Sequence, residues 1–157
     1  MSVRQNDWNF AALHEMGHLF EMDCPWGFEG EMLSDVMLAY VLQKNDAAAA
    51  LAEYNEYEVF KGAEIYKAYC RNAADFSEKY DVFGCIKRVM EIQHDIGWEP
   101  FRQAFHHMQR HREHYLTYPK QDRFVFFIKL LTRYSGKDIK SRFSADEWNS
   151  VIKECSK

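Results

Sequence analysis

Two histidines four residues apart, with a glutamate directly after the first, are the residues of this sequence best suited to do chemistry: His14-Glu15-Met16-Gly17-His18. On an α-helix, positions i and i+4 stand one turn above each other, so both imidazoles can offer a nitrogen to one metal ion at about 2.0–2.1 Å. Glu15, offset by one residue, stays outside the ligand set yet close enough to take a proton from a water attacking a carbonyl. The pattern H-E-x-x-H carries this meaning only on a helix. Apolar spacing predicts one from Trp8 to about Glu21, capped by Asp7, with Ala11, Leu13, Met16 and Phe20 as packing positions. The plainer alternative is an amphipathic helix whose histidines make ordinary hydrogen bonds.

A catalytic zinc takes three protein ligands and keeps a fourth position open, so a further donor must come from elsewhere. Glu21, Asp23, Glu29, Glu31 and Asp35 all follow within one loop and one helix, but only Glu31 and Asp35 stand four apart on the same face of that helix. One carboxylate of such a pair can bind zinc while the other accepts the free ring N–H of a ligating histidine and fixes its tautomer. Read without the upstream motif, the same pair would be helix N-terminal acids complementing the dipole.

A second histidine group, His107, His111 and His114, falls on one face of a predicted helix. It could bind a second metal, or supply the donor that stabilises a developing oxyanion. Arg110 and Arg112 lie among these residues, and a mixed basic face of this kind is more often solvated than ligating.

The elements that must position these groups read as helices, and the fold class expected is all-α, a single domain over residues 1–157. After the first helix, Asp23 to Gly30 with Pro25, Gly27 and Gly30 must be a loop. A second helix is predicted from Glu31 to Lys44, with helix resuming at the alanine run from Ala47. Others are predicted near Val59–Asn72, Asp81–Ile96, Pro100–Tyr115, Asp122–Tyr134 and Asp146–Cys155. Gly97 and Gly136 fall where helix C-termini want a left-handed residue, and Pro100 falls in the first turn of a helix, where its missing N–H costs nothing. Phe124, Phe126, Phe127 and Tyr134 are expected in the core, as is Trp26 unless it lines the cleft.

Composition excludes several classes of function. With 157 residues, 47% hydrophobic and 28% charged, the chain is neither disordered nor fibrous. Twenty Lys and Arg against 24 Asp and Glu leave a net charge of -4, without the basic excess that tracks a phosphate backbone, so nucleic acid is not an expected partner. Its longest apolar run, Phe124 to Leu131, is broken by Lys129 and too short to span a bilayer, and the N-terminus shows no signal pattern. Cys24, Cys70, Cys85 and Cys155 form no C-x-x-C pair and read as small buried side chains.

These residues resemble the gluzincin metallopeptidases, in which H-E-x-x-H on one helix is followed by a glutamate ligand on the next, often as E-x-x-S-D. The matching stretch here is Glu31-Met32-Leu33-Ser34-Asp35. The resemblance implies that Glu31 is the third zinc ligand and that Asp35 supports a histidine. Within the group the chain looks most like the enhancin and mucinase peptidases. The similarity runs from His14 through Gly97-Trp98-Glu99-Pro100-Phe101 to Gly136-Lys137-Asp138-Ile139, pieces of that family's helical C-terminal half. It implies a zinc-dependent endopeptidase acting on protein or glycoprotein substrates, O-glycosylated ones such as mucins among them, and a secreted or cell-surface parent. In gluzincins a β-rich subdomain precedes the zinc helix and supplies an edge strand that holds the substrate backbone. Only 13 residues precede His14 here. The expectation is therefore either the catalytic helical half of a longer polypeptide or a reduced protein that keeps zinc. A non-catalytic zinc-stabilised binding module is the alternative function, and a metal-free helical interaction domain a third.

Overall fold

The computed structural model describes residues 7–21, 23–53, 56–61 and 79–157. Their body is helical, as expected: α1 (Phe10–His18), α2 (Gly30–Lys44), α3 (Val82–Ile96), α4 (Trp98–Arg110), α5 (Arg112–Leu116), α6 (Lys120–Ser135) and α7 (Ala145–Cys155), with a 3₁₀ turn at Lys140–Arg142. Helix α2 lies between α1 and α3, α4 packs on α6, and α6 also receives α7. No described helix is long and apolar enough to cross a membrane.

Helix α2 is the spine of this arrangement because its apolar residues occupy nearly its whole circumference. Met32, Leu33, Leu38 and Leu42 are almost fully buried, and Asp35 and Ser34 are buried with them. Across from it, α3 contributes Ile86, Met90 and Ile92, and α4 and α6 contribute Phe101, Met108, Phe124 and Phe127. Burying each such side chain contributes about 1.5–3 kcal/mol. Phe28 ties the preceding loop into this core. It is buried, and its ring lies 5.4 Å from those of both Phe124 and Phe127. Phe126 and Tyr134 are only partly buried, at the margin of the core.

The helix ends follow local chemistry. Gly97 (φ 74°) closes α3 with its N–H on the Gln93 carbonyl and opens α4, whose third residue is Pro100. Gly136 closes α6 in the left-handed conformation. Ser144 and Glu147 form a reciprocal capping box at the start of α7. Cys85 and Cys155 are buried free thiols, and Cys24 is half-buried and also free. Cys70 lies outside the described residues. Burial pushes the Cys155 thiol up to about 12, as befits a packing side chain.

Four element assignments differ from the sequence expectation. A small sheet joins β1 (Asp7–Asn9), β2 (Ala48–Glu53) and β3 (Glu56–Lys61) in that order. β1 runs parallel to β2, with Asp7 opposite Ala48, and β2 pairs antiparallel with β3, with Ala48 opposite Lys61. The alanine run thus forms a strand rather than a resumed helix, and Val59 to Lys61 is strand as well. The rest of the helix predicted to Asn72 lies outside the described residues. Alanine's helix preference is a fraction of a kcal/mol per residue, and ladder pairing with two neighbours outweighs it. Asp46, at φ 47°, interrupts the helical path just before the strand.

Helix α1 likewise begins at Phe10, after β1, and not at Trp8. Of its expected packing positions only Leu13 is buried, whereas Met16 and Phe20 are 51% and 57% exposed and Ala11 is exposed too. The buried stripe of α1 is Leu13 and Gly17, the pair that faces α2. The expected helix from Pro100 to Tyr115 is broken at His111, giving α4 and the short α5.

Candidate metal centre

Helices α1 and α2 touch backbone to backbone at Gly17. A Cβ on this residue would lie 2.6 Å from the Ser34 carbonyl oxygen and 2.7 Å from the Ser34 Cα. One variable position of H-E-x-x-H is therefore a glycine for a packing reason. This close approach brings the histidines of α1 over the first two turns of α2.

Three donor atoms converge there. His14 Nε2 lies 3.2 Å from His18 Nε2 and 3.1 Å from Glu31 Oε2, and His18 Nε2 lies 3.7 Å from Glu31 Oε1. Donors about 2.0–2.1 Å from a tetrahedral ion stand about 3.3 Å from one another, so these separations suit one zinc-sized cation. His14, His18 and Glu31 offer their ligand atoms within 4.8 Å of one another.

The outer nitrogens explain why the inner ones point inward. His14 Nδ1 donates to Asp35 Oδ1 at 2.8 Å, and Asp35 is itself buried. His18 Nδ1 lies 3.2 Å from Glu21 Oε1, an oxygen that also accepts the Ser34 hydroxyl at 2.7 Å. In the tautomer that carries its proton on Nδ1, each histidine turns an Nε2 lone pair toward the Glu31 carboxylate. Groups crowded this closely need a proton or a metal cation among them. The surrounding charges favour one. The hydrogen bond to Asp35, then its charge and those of Glu31 and Glu15, raise His14 from an ordinary 6.5 to about 9 against the opposing effect of burial. A field that favours a proton on this imidazole also favours a metal ion beside it, so the donor set fits zinc.

Each acid weighed from the sequence has a definite place. Glu31, 56% exposed, joins the donors and Asp35 holds His14. Glu29 is the N-cap of α2, its Oε2 accepting the Met32 N–H at 2.7 Å. Asp23 is exposed in the loop, where its carbonyl accepts two hydrogen bonds from Arg112. Glu21 reaches His18. The contribution of Glu21 and Ser34 is not apparent from the motif alone, although Glu21 stands three residues after His18, within one helical turn. Glu15 is exposed beside His14, where its charge acts on that imidazole. Trp26 is half-buried against Phe105 and donates its indole N–H to the Phe20 carbonyl, so it braces the loop.

The second histidine group does not assemble into a ligand set. The rings of His107 and His111 stand 4.8 Å apart, but His107 Nδ1 lies 3.0 Å from the Tyr134 hydroxyl oxygen, and His114 is turned against Tyr115 and Tyr118. The break at His111 takes His114 out of register with the other two. Burial, with smaller effects from the charges of His111 and Arg133, holds His107 below its usual range. Among the described residues these three histidines form no metal-binding group.

No protein-family model, curated protein or solved structure matches the chain. What the residues can do chemically follows from the donor geometry itself.

Proposed function

We propose that the chain carries a zinc-dependent, peptide-hydrolysing centre of the gluzincin kind, acting on protein or glycoprotein substrates, O-glycosylated ones among them. The observation that carries this reading is the convergence of His14 Nε2, His18 Nε2 and a Glu31 oxygen, with the outer nitrogen of each histidine held by its own carboxylate. The H-E-x-x-H and E-x-x-S-D spacings support it. When bound, zinc would supply Lewis acidity toward a substrate carbonyl. The work of the protein residues is to hold that ion and to move a proton. His14, His18 and Glu31 are the ligands, Asp35 fixes the orientation of His14, and Glu15 takes a proton from the attacking water. As the water oxygen bonds to the carbonyl carbon and the C–N bond breaks, Glu15 returns that proton to the leaving amine. Glu15 suits this role because it is exposed on the same helix as both histidines, where its charge acts on His14.

The test is cleavage of casein and of an O-glycosylated mucin by protein loaded with zinc, stripped with a chelator and then reloaded. Cleavage that disappears on stripping and returns with zinc is the expected result. A protein that binds zinc and gains thermal stability from it, yet cleaves neither substrate, would instead match the zinc-stabilised binding module.

A further inference from the structure

We infer that Glu21, braced by Ser34, is a positioning residue that fixes the tautomer of His18 and sets how tightly the site holds its metal. This inference rests on the zinc-site reading and adds a second arm to it. A neutral imidazole binds metal through one nitrogen only if the proton sits on the other, and an acceptor aimed at that other nitrogen selects the competent tautomer and makes the ligand more basic.

For His14 the acceptor is Asp35, the residue that the spacing on α2 already singles out. For His18 the atom in the corresponding position is Glu21 Oε1, 3.2 Å from Nδ1. That oxygen also takes the Ser34 hydroxyl at 2.7 Å, and Ser34 is fully buried, so the carboxylate is held from behind by a rigid donor. Its other oxygen occupies space that the absence of a side chain at Gly30 leaves open: a Cβ there would lie 2.8 Å from Glu21 Oε2 and 3.7 Å from His18 Nδ1. Ser34 and Asp35 are neighbours on α2, so a single turn of that helix governs the outer nitrogens of both histidines, one directly and the other through Glu21. The turn Leu19–Glu21 after α1 supports the same placement, since the Glu21 N–H bonds back to the His18 carbonyl at 3.1 Å. Burial raises the Glu21 carboxyl above its usual range, and the Ser34 and His18 contacts offset only part of that cost.

The experiment measures zinc affinity, by competition with a chromophoric chelator, for the parent chain, Glu21→Ala, Glu21→Gln and Ser34→Ala. The ring-nitrogen NMR signals of His18 are recorded in each metal-free protein. Loss of an outer partner of this kind lowers metal affinity about 10- to 100-fold, which is the expected result for Glu21→Ala. Glu21→Gln keeps an acceptor oxygen without the charge and should fall between it and the parent, and Ser34→Ala should show a smaller loss in the same direction. The tautomer is the readout that a merely structural role would not move. His18 should carry its proton on Nδ1 in the parent chain and shift toward the mixture of a free imidazole in Glu21→Ala. Equal affinities and an unchanged tautomer in the variants, with zinc bound by the parent, would overturn the role of Glu21 alone. A parent chain that binds no zinc would overturn the zinc-site reading itself. Should Glu21→Ala fail to fold, Glu21→Gln and Ser34→Ala decide the matter by the same two readouts.

Discussion

Glu15→Gln is expected to lower peptide hydrolysis by about a hundred- to ten-thousand-fold, the range that positioned proton transfer contributes, while zinc content stays at the parental level. The substitution keeps size and shape and removes only basicity. Glu15 lies on the exposed side of α1 next to His14, whereas the donors that converge belong to His14, His18 and Glu31. Neither the ligand set nor the packing of α1 on α2 needs its charge. Zinc content and cleavage of a fluorogenic peptide are read on the same sample. Cleavage at the parental rate with zinc in place would remove Glu15 from the mechanism. Loss of zinc in this variant would instead move Glu15 into the ligand set.

The largest effect on stability is expected at Phe124, where replacement by alanine should cost about 3–5 kcal/mol. Against a total stability of about 5–15 kcal/mol for a domain of this kind, that loss is severe. Phe124 is fully buried, and its ring lies 5.4 Å from Phe28, 5.6 Å from Trp148 and 6.4 Å from Phe143. It therefore ties α6 to α7 and to the loop that leads into α2. Phe28 is followed by Glu29, the N-cap of α2, so a cavity at Phe124 loosens the anchor of the helix that carries Glu31 and Asp35. Urea unfolding of the metal-free protein measures the effect. A loss below about 1 kcal/mol would mean that these rings do not close a core.

Much of the candidate site is legible in the sequence because its logic is local. The i, i+4 spacing puts His14 and His18 on one face, and the same spacing pairs Glu31 with Asp35. The loop between Asp23 and Gly30 is announced by its proline and glycines, and α2, α3, α6 and α7 begin and end within a few residues of their apolar periods. What escapes such reading depends on tertiary approach. Gly17 looks like an indifferent position until Ser34 is seen pressed against it. Glu21 is one acid among five until the turn after α1 brings it to His18. Met16 and Phe20 fit an apolar period yet face outward, because the close contact at Gly17 leaves α1 only a narrow buried stripe. Ala48 to Glu53 reads as helix by propensity, and only pairing with β1 and β3 makes it a strand. His114 follows the helical spacing of His107 and His111 until the break at His111 turns it toward Tyr115 and Tyr118.

The most direct test of the metal centre is zinc stoichiometry by elemental analysis on tag-free protein, comparing the parent chain with His14→Ala and Glu31→Ala. About one zinc per chain in the parent, reduced in both variants, is the result expected of three converging donors. A parent chain that holds no zinc even after reconstitution would contradict the metal centre and favour a helical interaction domain.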